Sequence, residues 1–262
     1  MFVEHPEVNS NIEKNAKLWR YMDFAKLVSL LFTQKLYFCR TDKFKDVFEG
    51  KLFGFKVEDM RKNLERIIGE HVVYGSGDRI KIDPSVIEQA EELTQQVYYM
   101  SENDREKTFV NCWHLNEYES AAMWDLYLKS NEGIAIQTSF DRLKRSLHSC
   151  KEDIFIGRVK YIDHTKESNF GNGLSPFFTK RNSFSHEKEV RLLYSAVLDN
   201  NANMYPNEKV LGKNFHVSLE DLIERVYVSP DAPLWFVDVV KVILEKFNID
   251  AEVIHSDLYE LK

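Results

Sequence analysis

No stretch of this 262-residue chain approaches the run of about 18 apolar residues that a membrane-spanning helix needs. The opening MFVEHPEVNS lacks a basic region followed by an apolar one, so the expectation is a soluble, unprocessed, cytoplasmic protein with no membrane partner. Cysteine is scarce: Cys39, Cys112 and Cys150 lie far apart, are odd in number and have no CxxC spacing. That excludes a disulfide framework and suits reduced thiols. Basic side chains are outnumbered, 35 against 42 acidic ones, and the net charge of -7 argues against broad, sequence-independent capture of nucleic acid through its phosphates. GxGxxG, GxxxxGK, GxSxG and HExxH are all missing, which leaves P-loop chemistry and nucleophilic hydrolysis without support.

What is present is a globular composition, 44% hydrophobic and 13% aromatic, in a chain long enough to bury a substantial core. Asp23 is placed to cap a helix with apolar residues at Phe24, Leu27, Val28, Leu30 and Leu31, and the β-prone run Leu36 to Arg40 follows directly. Leu36, Phe38 and Arg40 share one face of that strand. Residues from about 54 to 105 carry two amphipathic helical patterns, FKVEDMRKNLERIIGEHVV and DPSVIEQAEELTQQVYYMSEN, separated by the turn GSGDR. Asp83 can cap the second and Pro84 can open it. Strand signals return at KTFVNCWHL, EGIAIQTS, IFIGRVKYI, EKEVRLLY, RVYVS and AEVIHS. Helical patterns fall between them at YESAAMWDLYLKS, SFDRLKRSLHS and DAPLWFVDVVKVILEKF. The expectation is one α+β domain spanning 1–262, with a mixed, largely antiparallel sheet flanked by helices and a helical insertion at about 54–105.

The most informative stretch is SFSHEKEVRLLY, Ser183 to Tyr194, which has the length and apolar end of a strand and a run of charges inside it. At the two-residue period, Ser185, Glu187, Glu189, Arg191 and Leu193 fall on one face. Either this is a solvated edge strand or a polar cluster at the floor of a cleft. Buried, such charges must form a connected network of carboxylates and cations, because an unpaired buried charge costs several kcal/mol. Arg40 is the expected second cation. Lys180, Arg181 and Lys188 suggest a local basic rim.

Two other stretches carry candidates. In LYFCRTDKFKDVFEG, Arg40, Asp42, Asp46 and Glu49 alternate with Phe44, Val47 and Phe48. They suit a capped turn whose acids neutralise Arg40, or a loop closing on a ligand with Arg40 as anion anchor. In NCWHLNEYESAAMWDLYLKSNEGIAI, Trp113, Trp124 and Tyr127 suit core packing or stacking on a flat ligand ring. His114 has no second histidine at metal spacing, so no metal site is expected.

These stretches, with HEKEVRLL, IERVYVSPDAP and VIHSDL, occur in an order that resembles the bacterial and phage family called domain of unknown function 2971. The resemblance covers most of residues 18–260. The chain departs from that pattern in KDVFEG, where an Asn-Asp-Pro-Phe-Glu-Gly type of sequence is usual, and in Val190, where an aromatic is common. A second, weaker resemblance is to ADP-ribosyltransferases, particularly DNA-targeting toxins: an early strand with a basic residue, a middle aromatic segment, and a late strand with a glutamate.

That second resemblance implies NAD as substrate in a defence or toxin setting. Glu189 would stabilise an oxocarbenium-like transition state and Glu187 would activate the acceptor. Arg40 would hold the phosphates, with Asp42 and Glu49 in the same loop, while Trp113, Trp124 or Tyr127 would flank the rings, His114 would join the substrate-binding residues and Arg191 would orient Glu189 or contact the acceptor. The acceptor would be a protein or a nucleic acid. A noncatalytic nucleotide- or protein-binding module, with the same charges as a structural network, is the main alternative. A nuclease built on Asp42, Asp46, Glu49 and the strand glutamates is opposed by the interleaved arginines.

Overall fold

The computed structural model describes residues 1–5, 8, 11–54, 84–128, 130–169, 171, 173–199 and 210–260. The expected helix over residues 55–73, the GSGDR turn and the Asp83 cap lie outside the described residues.

Among the described residues twelve strands follow one another: β1 (Phe2–Val3), β2 (Lys17–Asp23), β3 (Lys35–Arg40), β4 (Thr108–Leu115), β5 (Gly133–Ser139), β6 (Ile154–Arg158), β7 (Lys160–Ile162), β8 (Thr179–Arg181), β9 (Glu189–Ser195), β10 (Gly212–His216), β11 (Arg225–Val228) and β12 (Glu252–His255). The main helices between them are α1 (Phe24–Thr33), α2 (Pro84–Lys107), α3 (Ala121–Tyr127), α4 (Phe140–Ser146), α5 (Leu219–Leu222) and α6 (Leu234–Lys246). One large sheet runs β1-β6-β9-β4-β2-β5-β11-β12, with β3 and β10 branching from β4. Its pairs are antiparallel except β1 with β6 and β11 with β12, so the class is α+β with a mixed, mostly antiparallel sheet. A separate parallel pair, β7 with β8, stands beside it.

The helices follow from local chemistry. Asp23 caps α1 by accepting from the Lys26 amide at 2.9 Å, and the apolar stripe Leu27, Leu30 and Leu31 faces inward. The helix closes at Gln34, in the left-handed region at φ 52°, and β3 starts one residue later. Helices α1, α4 and α6 pack on one face of the sheet against Leu18, Phe38, Ile136, Leu192 and Val226 in the main core. Burial of that size is the dominant favourable term in folding.

The strand β2 breaks the sequence expectation, which began a helix here without a strand before it. Its less buried residues are Lys17, Arg20 and Asp23, three apart, because the strand is covered on both faces and its polar residues sit where cover is thin. That spacing imitates a helix. IFIGRVKYI also forms two strands in different sheets, broken at Val159, whose amide instead donates to the Glu189 carbonyl.

The central strand β4 has a divided edge. Leu115 and His114 pair with Leu18 and Trp19 of β2, whereas Val110 and Phe109 pair with Cys39 and Arg40 of β3. Between these pairings, side chains bridge the gap: Arg20 Nη1 donates to the Cys112 carbonyl at 2.7 Å, and Asn111 Nδ2 donates to the Tyr37 carbonyl at 2.8 Å.

Candidate active site

The face of the sheet away from α1, α4 and α6 carries two smaller apolar clusters. One gathers Val110, Phe155, Phe177, Phe178 and Leu193; the other gathers Trp19, Tyr21, Met123, Trp124 and Ala135. Between them the register pairs Arg191 with Cys112 and Glu189 with His114, so four polar side chains share the middle of this face.

Two segments close over them. Residues 44–54 form a strap of successive turns: Glu49 N–H donates to the Asp46 carbonyl and Lys51 N–H to the Phe48 carbonyl, both at 3.1 Å. Gly50 lies at φ 68°, with the Phe177 ring so close that an added Cβ would meet it at 2.7 Å. The second segment is a 3-10 turn at Ser175–Phe178, followed by β8 and a further 3-10 turn at Asn182–Glu187.

Five charged side chains meet at this junction. Lys180 Nζ lies 2.7 Å from Glu187 Oε2, 2.7 Å from Glu189 Oε1 and 3.0 Å from Glu49 Oε1. Arg191 Nε donates to Glu189 Oε2 at 2.6 Å, Nη2 to Glu49 Oε1 at 3.0 Å, and Nη1 to the Phe177 carbonyl at 2.7 Å. All five are buried, Arg191 with only 1% of its surface exposed, so pairing is obligatory.

Three carboxylates face two cations, and the imbalance is resolved inside the Glu187–Glu189 pair. Desolvation, the hydrogen bond shared with Glu189 and the Glu189 charge push the Glu187 carboxyl up to about 8, against the pull of Lys180. Burial alone would raise Glu189 too, but Arg191, the hydrogen bond from Glu187 and Lys180 hold it well below the usual carboxylate range. At neutral pH Glu187 keeps a proton and Glu189 stays ionised. The Tyr161 hydroxyl accepts from the Glu189 amide at 2.8 Å and fixes the start of β9.

The structure therefore corrects several expectations. The run Ser183 to Tyr194 is not one strand: β9 starts at Glu189, because Lys188 adopts the left-handed region at φ 40° after the 3-10 turn. Glu187 reaches Glu189 through that turn rather than through strand alternation.

Arg40 is not the second cation. It pairs with Phe109, on the main-core face of the sheet, and Asp42 engages it at 2.7 and 3.0 Å. Five residues of β4 separate that pairing from His114, about 17 Å at the usual strand rise. Asp42 also pairs with Lys43 and stays with Arg40. The second cation is Lys180, expected on a surface rim and found buried. The signal available in the sequence was the charge count, three acids to one arginine, which calls for a second cation from elsewhere in the chain.

The aromatic candidates divide. Trp113 is buried in the main core on the opposite face, and Trp124 is buried against Tyr21, with ring centroids 4.9 Å apart. Tyr127 remains 41% exposed at the rim. Desolvation raises its phenol pKa, and the negative charge of Glu189 raises it further.

His114 is at the site: its Nδ1–H donates to the Glu187 carbonyl at 2.7 Å, and burial lowers its pKa, so the ring is neutral with Nε2 as an acceptor. That Nε2 has no hydrogen-bond partner among the described residues. Among the described residues, no group of three or more His, Cys, Asp or Glu is arranged to hold a metal, and no helix is long and apolar enough to cross a membrane.

No family model and no curated protein matches the chain. What the site does has to be argued from its own geometry.

Proposed function

We propose that the chain is an ADP-ribosyltransferase-like enzyme that consumes NAD, with the Glu187–Glu189 pair as its reacting centre. The observation that supports this best is two carboxyl groups joined through one cation, Lys180, whose acidities are driven apart, one held ionised and one held protonated near neutral pH. Transfer of a ribosyl group breaks the bond from the anomeric carbon to nicotinamide. The bond electrons leave with the ring, and positive charge develops on the sugar. Glu189 supplies a fixed negative charge to that centre, oriented by Arg191 and Lys180. Once ionised, Glu187 takes the proton of the attacking acceptor, a protein or nucleic-acid group.

A noncatalytic nucleotide- or protein-binding module is the second reading, favoured by the burial of all five ionisable side chains. There the network only fastens the strap and the 3-10 turn to the sheet.

The deciding experiment measures nicotinamide release from NAD by wild type, Glu189→Gln and Glu187→Gln, alongside melting temperature. Loss of release in a Glu189→Gln protein that still folds supports the enzyme. Release that persists in that variant removes Glu189 from the chemistry, and absence of release from wild type with every acceptor class tried favours the module. Since Glu187 acts as base only when ionised, turnover should rise with pH and level off above about 8.

A further inference from the structure

With Arg40 on the other face of the sheet, a ligand at Glu189 needs a different anion anchor. Next to the buried network, Arg181 at the end of β8 lies 4.5 Å from the Phe48 ring centroid and 5.3 Å from that of Phe184. Its Nη2 meets Asp46 Oδ1 at 2.8 Å. Phe184 also receives Lys180, whose Nζ is 4.6 Å from the ring centroid. Arg181 is the more accessible partner, with 28% of its side chain exposed against 6% for Asp46.

The strap contributes both acids that quench this group: Asp46 takes Arg181, and Glu49 takes Lys180 and Arg191. Displacing the strap takes two carboxylates, Asp46 and Glu49, away from the three cations Lys180, Arg181 and Arg191. A diphosphate brings a matching charge; the Arg181 guanidinium is suited to hold two of its oxygens, and Phe184, which lies outside the strap, stays beside it to face an attached flat base.

The strap's attachments also suit exchange. Asp46 and Glu49 are held by cations: Arg181, Lys180 and Arg191 at the side chains, and Arg105 Nε at the Glu49 carbonyl, 2.9 Å away. Its far end is fixed differently. Asn169 bridges the Phe53 amide and the Lys51 carbonyl, both at 2.8 Å, and Gly54 takes φ 71°.

We propose that Arg181, with Lys180 behind it, is a diphosphate-binding site, and that Asp46 and Glu49 occupy it as internal stand-ins until a ligand displaces the strap. The proposal rests on the glycosyl-transfer reading only in taking the diphosphate to be that of NAD.

The test titrates inorganic pyrophosphate and ADP into wild type, Asp46→Asn and Arg181→Ala by calorimetry. Removing one competing carboxylate should tighten pyrophosphate binding by about tenfold in Asp46→Asn, the scale of one partly buried charge partner. Arg181→Ala should abolish it. Tryptic cleavage at the exposed Lys45 supplies a readout on unaltered protein. Pyrophosphate should accelerate it, and chloride at equal ionic strength should not.

Pyrophosphate affinity that is absent from wild type and Asp46→Asn, or equal in all three proteins, overturns the proposal, as does cleavage that pyrophosphate slows or leaves unchanged. Nicotinamide release is scored separately. Release without pyrophosphate binding sinks only the strap, and binding without release sinks only the glycosyl-transfer reading.

Discussion

The two faces of the sheet are held by different physics. On one, α1, α4 and α6 bury aliphatic and aromatic side chains, and stability accumulates as nondirectional area. On the other, two small apolar clusters flank a knot of five ionisable groups, four of them charged at neutral pH, where each group is tolerable only because the others are present. The first face should degrade gradually under mutation, and the second should fail at single positions.

The largest effect should come from Arg191→Met, which strands Glu49 and Glu189 in a buried site and should cost about 3 to 5 kcal/mol in urea denaturation. Adding Glu189→Gln to it should recover part of that loss. Strict additivity of the two changes would deny the coupling. On the apolar face, Leu27→Ala should cost about 2 to 5 kcal/mol through its cavity, and pairing Ile156→Ala of β6 with Val226→Ala of β11, five strands apart in the sheet, should be additive. Non-additivity there would blur the distinction between the faces.

Smaller still is Tyr161→Phe, which removes the acceptor for the Glu189 amide. It should cost about 1 kcal/mol, with a larger fractional loss of turnover if that hydroxyl positions the glutamate.

The mildest test is a slope. Because the folded pKa of Glu187 lies above its unfolded value, its stabilising contribution is full below the ordinary carboxylate range and is lost as pH rises through about 8. Melting temperature should therefore show a declining component between about pH 5 and 9, and Glu187→Gln, which mimics the protonated carboxyl, should flatten it. An unchanged slope in that variant would place the proton elsewhere.

Much of this contrast was legible in the sequence. Glu189 and Arg191 alternate with Val190, Leu192 and Tyr194, so one strand announces both a polar and an apolar face. The same logic, carried to β3, would have separated Arg40 from the site: it shares parity with Leu36 and Phe38, which belong to the main core. Placing Arg40 beside Glu189 required charge complementarity to override that alternation, and the fold kept the alternation. Lys180 was harder to find, because it reaches the network through the small parallel pair β7 and β8, set by contacts between segments distant in sequence. The helix α2 was legible from periodicity, while β2 was hidden by polar residues spaced three apart in a strand covered on both faces.

The divided edge of β4 has a consequence for how the molecule comes apart. Where a continuous ladder would spread a load over several main-chain bonds, the join between β2 and β3 is bridged by the Arg20 and Asn111 side chains. At this join the sheet's main-chain ladder is thus completed by side-chain rivets that point mutations can remove. Substituting Arg20 and Asn111 together should turn one unfolding transition into two, as if a single panel had been cut along a prepared line.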